Sequence, residues 1–196
     1  PVALISVAQG GTAVADWLPG SQLYTEQLQR ALTFVRSNSG IRAVLWHQGE
    51  TDAASGTSAS AYAQRLQAII AQSRVDVGFE VPWGVALASA DPGGTDSSEA
   101  AVVAGQQAVI LADPLVFEGA STNDFGGLGL LFDGVHFTVA GLNEHAARWS
   151  TQIASFFDNV GPAVVQAVTP SAEGIFSSAL FSVGWEFTVS VPTTVT

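Results

Sequence analysis

Short apolar runs of strand type alternate with stretches of helical period along most of this chain, and that alternation restricts the fold more than any other feature. "VALISV" (2–7) is β-branched and followed by glycines, so it reads as a buried strand. Residues 22–37 carry Tyr24, Leu28, Ala31, Leu32 and Val35 at helical spacing and stop at Ser39-Gly40. "AVLWH" (43–47) is the next strand, and a Ser/Thr/Gly loop (55–58) leads into a helix with Tyr62, Leu66, Ile69 and Ile70 on one face. "WGVALA" (83–88) is a third strand. After a loop (90–98) in which Ser97 or Ser98 is the candidate N-cap, a helix spans roughly 99–112 and ends before Asp113-Pro114. "LVFE" (115–118) makes a short fourth strand, and a Gly-rich loop runs from Gly119 to Gly134. In the last helix Thr138 is the candidate N-cap, and Leu142, Ala146, Trp149, Ile153 and Phe156 follow at steps of 4, 3, 4 and 3.

Strands that alternate with helices of this length form right-handed βαβ units, hence an α/β fold with a parallel sheet covered on both faces. Ligands of such sheets sit at the carboxyl ends of the strands. The loops "QGGTAVADW" (9–17), "QGETDA" (48–53), "ASADPGG" (88–94) and "FDGVHFT" (132–138) should therefore converge on one rim. After Asp158 the pattern changes. We divide the chain into a main domain over 1–158, a linker over 159–174, and a β-rich tail over 175–196 that edges the sheet or begins a further domain.

Seventeen acidic residues against six arginines and no lysine give a formal charge of −11, which repels nucleic acid and anionic membranes. Neutral substrates, sugars among them, fit this surface better. No apolar run reaches the ~18 residues that a membrane span needs. The absence of cysteine excludes disulfides and thiolate zinc sites. The chain opens directly on a strand-like run without methionine or signal peptide, so we expect a processed product or a segment of something longer. The lack of Lys and Cys and the abundance of Ser, Thr, Ala and Gly suit an extracellular, secreted or virion-associated protein.

Three motifs carry chemistry. Asp133 and His136 are three apart in a loop; a carboxylate on one imidazole nitrogen fixes the tautomer and leaves the other nitrogen as a base. The bland reading is that Asp133 merely caps a turn. In "WHQGETD" (46–52) Gln48 offers an amide to a developing oxyanion, Gly49 permits close backbone approach, and Glu50 and Asp52 could cap the loop or pair with arginine. In "AQGGTAVADW" (8–17) the Gly10–Gly11 pair presents backbone N–H groups, a second route to an oxyanion. This block lacks the G-x-G-x-x-G spacing of a dinucleotide loop, and a P-loop requires a lysine, so no nucleotide cofactor is expected. His47, Glu50, His136 and His145 show no metal-ligand spacing, so no metal is expected either. Trp17, Trp46, Trp83 and Trp149 are mostly core candidates, with Trp17 the best placed of them to line a sugar-binding rim.

Taken in order, these blocks resemble the SGNH (GDSL-like) hydrolase superfamily, in particular the branch of sialate O-acetylesterases and family 6 carbohydrate esterases such as acetylxylan esterases. Its "A-x-G-G-T…W" block matches Ala8–Thr12 with Trp17, its "W-x-Q-G-E-x-D" block matches Trp46–Asp52, and its "D-G-x-H" block matches Asp133–His136. Glu99, Ala100 and Gln106 match a helical "E-A…Q" stretch, and the resemblance covers about residues 1–157. It implies a three-layer, flavodoxin-like α/β/α fold and carboxylic ester hydrolysis, with an acetylated carbohydrate as substrate. His136 would be general base and acid, Asp133 its orienting partner, Gln48 and a Gly10–Gly11 N–H the oxyanion donors, and Glu50 a support of the loop. The family's nucleophilic serine lies in a "G-[DQ]-S" block on a preceding strand, and no such block occurs here. We therefore expect that strand and its serine from an upstream segment or another chain. The alternative is a non-catalytic structural or glycan-binding module of a larger assembly.

Overall fold

Each of the five residues of Trp83–Leu87 is buried, and the fold is built around this strand. In the structure, a computed structural model that describes residues 4–38 and 40–160, it pairs in parallel with a strand on each side. With β1 at Val44–Trp46, β2 at Trp83–Leu87 and β3 at Val116–Ser121, the order is β1-β2-β3. Leu45 stands opposite Gly84, and Gly84 opposite Phe117. All three strands fall where the apolar runs predict them, and β3 continues three residues further.

Alternation along the strands sends side chains to two faces. On one, Trp46, Trp83, Val85 and Val116 pack with Tyr62, Leu66 and Ile69 of α3 (Ala59–Val77) and with Val102 and Val109 of α4 (Asp96–Ala112). Tyr24, Leu28 and Leu32 join this cluster from a helix whose first part, Tyr24–Gln29, is π-helical and whose second is α1 (Arg30–Asn38). On the other face, Ala86, Ala88 and Phe117 meet Trp149, Ile153 and Phe156 of α5 (Val139–Val160). The result is a three-layer α/β/α arrangement. Two strand glycines make room for Trp149: a Cβ at Gly84 would lie 2.8 Å from its ring and one at Gly119 2.3 Å.

Helix ends follow local chemistry. Gly78, at φ +80°, closes α3 with its N–H on the Arg74 carbonyl, and the Thr138 hydroxyl accepts the Gly141 N–H at 3.1 Å. The cap of α4 is Thr95 rather than Ser97 or Ser98: its hydroxyl accepts the Ser98 N–H while Ser98 reaches back to the Thr95 N–H, so the serine predicted as cap closes a capping box from inside the first turn.

The expected first strand is not formed within residues 4–7. Leu4 and Ile5 are exposed, and only Val7 packs partly against the core. A β-branched run becomes a strand only where a neighbour takes its backbone groups, and no described residue does so. The outer edge of β1 likewise has no partner among the described residues. Helix α5 runs to Val160, two residues beyond Asp158; the remainder of the predicted linker and the tail over 175–196 lie outside the described residues. No described helix is long and apolar enough to cross a membrane.

Candidate active site

In the turn before α5, Asp133 both caps the turn and meets the His136 ring. Asp133 Oδ1 accepts the backbone N–H groups of His136 at 2.7 Å and Val135 at 3.0 Å, and Gly134 takes φ +91° between them. Its other oxygen lies 2.7 Å from His136 Nδ1. The His136 N–H, then its ring, then the Val135 N–H hold the Asp133 carboxyl down at about 2. With Nδ1 occupied, Nε2 is the free edge of a ring that is 71% exposed. Phe132, 69% exposed, lies nearly parallel to that ring at 5.7 Å between centroids.

At the exit of β1, Gln48 is held on every side. Its side-chain N–H groups donate to the Thr12 carbonyl at 3.1 Å and to Asp52 Oδ2 at 2.7 Å. Asp52, fully buried in α2 (Glu50–Ala54), also accepts the Val14 N–H at 2.7 Å. The Tyr62 hydroxyl reaches the carbonyl oxygen of Gln48 at 2.7 Å and its side-chain oxygen at 3.1 Å. Buried Gln106 donates to the same carbonyl and to the Ala88 carbonyl, and accepts the Ala88 N–H. Between them, Gly49 passes so close to β2 that a Cβ would stand 1.8 Å from the Ala88 oxygen.

Glu50 and Asp52 do not pair with arginine. Glu50 lies 3.3 Å from His47 Nε2, so its acidic role is directed to that histidine and not to His136. Burial raises the Glu50 pKa, but the His47 hydrogen bond and charge outweigh it, and the net shift is downward. His47 Nδ1 in turn lies 3.2 Å from His145 Nε2, which accepts Trp149 Nε1–H at 2.9 Å. His145 is therefore tied to the exit of β1, a contact across 98 residues that no local spacing announces.

Trp17 does not line a rim. It is 4% exposed, meets Trp46 edge-on at 5.9 Å and donates to the Thr12 hydroxyl at 3.0 Å, because the short 3-10 turn Val14–Trp17 folds it inward. The Gly10–Gly11 turn is exposed, and Gly11 takes φ +71°. Among the described residues no serine contacts His136; Ser89, at the exit of β2, is buried against Asn123.

The four predicted loops touch one another in series. Thr12 meets Gln48, Gly49 meets Ala88, the ring of Pro92 lies 3.1 Å from a Cβ at Gly134, and His47 meets Phe137 edge-on at 5.9 Å. His136 and Gln48 are thus the immediate chain neighbours of two rings in contact. Tyr62 sits on a helix face that reads as core, and Gln106 carries only its match to the helical "E-A…Q" stretch; nothing local announces either residue's contact with Gln48.

Residues 1–155 match the model of the family described as carbohydrate esterase, sialic acid-specific acetylesterase. The chain belongs to this family. Among its relatives, a probable carbohydrate esterase of Arabidopsis thaliana is 32% identical over 93 residues, 47% of this chain and 36% of that protein. The X-ray structure of this same plant protein superposes with a TM-score of 0.61 at 25% identity, covering 77% of this chain and 60% of that one. The chain spans less than two thirds of the length of this relative. Membership of this carbohydrate esterase family supports esterase-type function, and the solved relative shares the three-layer fold.

Proposed function

We propose that this domain hydrolyses O-acetyl esters of carbohydrates, with a serine nucleophile contributed from outside these residues. The observation that carries the reading is the Asp133–His136 pair with Nε2 free, beside the His47–Phe137 contact that joins its turn to the loop of Gln48. His136 Nε2 takes the serine proton as the hydroxyl oxygen attacks the acetyl carbonyl. The carbonyl electrons move to an oxyanion, which accepts from the Gly10–Gly11 N–H groups and from Gln48, whose N–H turns from the Thr12 carbonyl to meet it. Collapse expels the sugar oxygen, which takes the proton from His136, and water repeats the cycle on the acyl-enzyme. Asp133 keeps the imidazole in the required tautomer throughout. A formal charge of −11 favours neutral acetylated sugars over anionic ones and accords with an extracellular setting.

The test uses the full-length protein with its upstream segment, assayed on p-nitrophenyl acetate and acetylated sugars. We expect turnover that His136→Ala lowers by ~10³-fold or more. A folded full-length protein with no turnover overturns the reading. It would favour a non-catalytic glycan-binding or scaffolding module, a reading supported by the engagement of both Gln48 N–H groups within the fold.

A further inference from the structure

The hydrogen bonds between α5 and the exit of β1 fix the tautomer of one ring. Trp149 Nε1 can only donate, so the His145 Nε2 it meets at 2.9 Å presents its lone pair, and the proton of the uncharged ring sits on Nδ1. His47 Nδ1 lies 3.2 Å from that same nitrogen, and His47 Nε2 faces Glu50 Oε1 at 3.3 Å. The contacts run from Trp149 to His145, from His145 to His47 and from His47 to Glu50.

We propose that His145 is a positioning residue of the candidate active site: held by Trp149, its ring supports His47 against Glu50 and so fixes the loop that bears Gln48. The same cluster reaches the other half of the site. Phe137, next to His136, packs against His145 at 5.0 Å and against His47 at 5.9 Å between centroids. One half-buried ring thus braces both the turn of the candidate base and the loop of the candidate oxyanion donor. The inference deepens the esterase reading and takes its catalytic meaning from it, but the His145 tautomer stands on the contact with Trp149 alone.

The electrostatics agree. Burial, then the neighbouring His47 charge, press the His145 pKa down to about 3 against a smaller opposing pull from Glu50. The other titratable groups around Glu50 are Asp52 on α2 and Tyr62 on α3. Both make their own hydrogen bonds to Gln48, which leaves His47 as the ring partner of Glu50.

The experiment is nitrogen-detected NMR on full-length protein labelled with ¹⁵N at histidine. The expected result is a single Nδ1–H on His145, with Nε2 unprotonated, that persists below pH ~4. A His145 protonated on Nε2 at neutral pH overturns the proposal, whatever the enzyme does. If the protein turns over acetyl esters, His145→Phe should lower kcat by up to ~10²-fold with KM little changed, and His145→Gln, which retains a neutral acceptor, should recover most of it. Equal activity of both variants and wild type also overturns the proposal. An inert full-length protein with the expected NMR pattern removes the esterase reading and leaves the proton assignment in place.

Discussion

Asp133 grips His136 twice, through one oxygen on its backbone N–H and the other on its ring Nδ1, both at 2.7 Å. Asp133→Asn separates the two grips. The asparagine oxygen can still accept the backbone N–H groups and keep the turn, while its amide donates toward Nδ1 and selects the wrong tautomer. We expect stability little changed and, in full-length protein, a fall in ester turnover of ~10²–10⁴-fold. Denaturant midpoint and kcat/KM measured side by side check both halves.

Gly49→Ala should damage the fold and not just the site. The added Cβ would meet the Ala88 carbonyl oxygen at 1.8 Å and Gln106 Nε2 at 2.6 Å, atoms fixed in strand and core. The cost is at least ~1–3 kcal/mol, read as a lower urea midpoint. Gly126→Ala is the control: nothing lies within 4 Å of its Cβ, and it should be near neutral.

Trp149 supplies a third prediction. A Cβ at Gly119 would stand 2.3 Å from its ring, so Gly119→Ala should destabilise by ~1–3 kcal/mol. Combining it with Trp149→Phe should return part of that loss, because the two residues contend for one space. A double-mutant cycle measures the coupling, expected at ~0.5 kcal/mol or more; strict additivity would refute it.

Acid should loosen this protein before it reaches ordinary carboxylate pH. His145 has a folded pKa near 3, depressed from 6.5, so between those values the unfolded chain takes up a proton that the folded chain refuses. Its contribution is complete above ~6.5 and declines as pH falls toward 3, by at most ~1.4 kcal/mol per pH unit. Glu50, Asp113 and Asp124, all shifted downward, add to the loss at lower pH. Tyr24 and Tyr62 are shifted upward, so their contribution is present below ~10 and lost above it. Urea midpoints across pH should show both limbs, with the acid limb reduced in His145→Phe.

Much of this was legible in the chain. β-Branched runs announced three strands to within a few residues, the step pattern from Leu142 to Phe156 announced α5, and the spacing of Asp133 and His136 announced their contact. What failed shares one cause: the answer lay in a partner distant in sequence. "VALISV" has strand chemistry, but a strand is a property of a pair. An aromatic such as Trp17 suits a rim or a core equally until the turn that carries it is known. The cap of α4 misled by position, because Thr95 and Ser98 cap each other. No periodicity connects His47 to His145, or Gln106 to the carbonyl of Gln48.

Among the described strands β2 alone has neighbours on both sides. Its amides should be the last to exchange with deuterated solvent, after those of β1 and the loops. The loop at Ala88, and through the Gln106 stitch the backbone of Gln48, therefore hang from the most persistent part of the molecule. The machinery is anchored like a bracket to a wall stud: thermal breathing at the periphery can proceed without carrying it along.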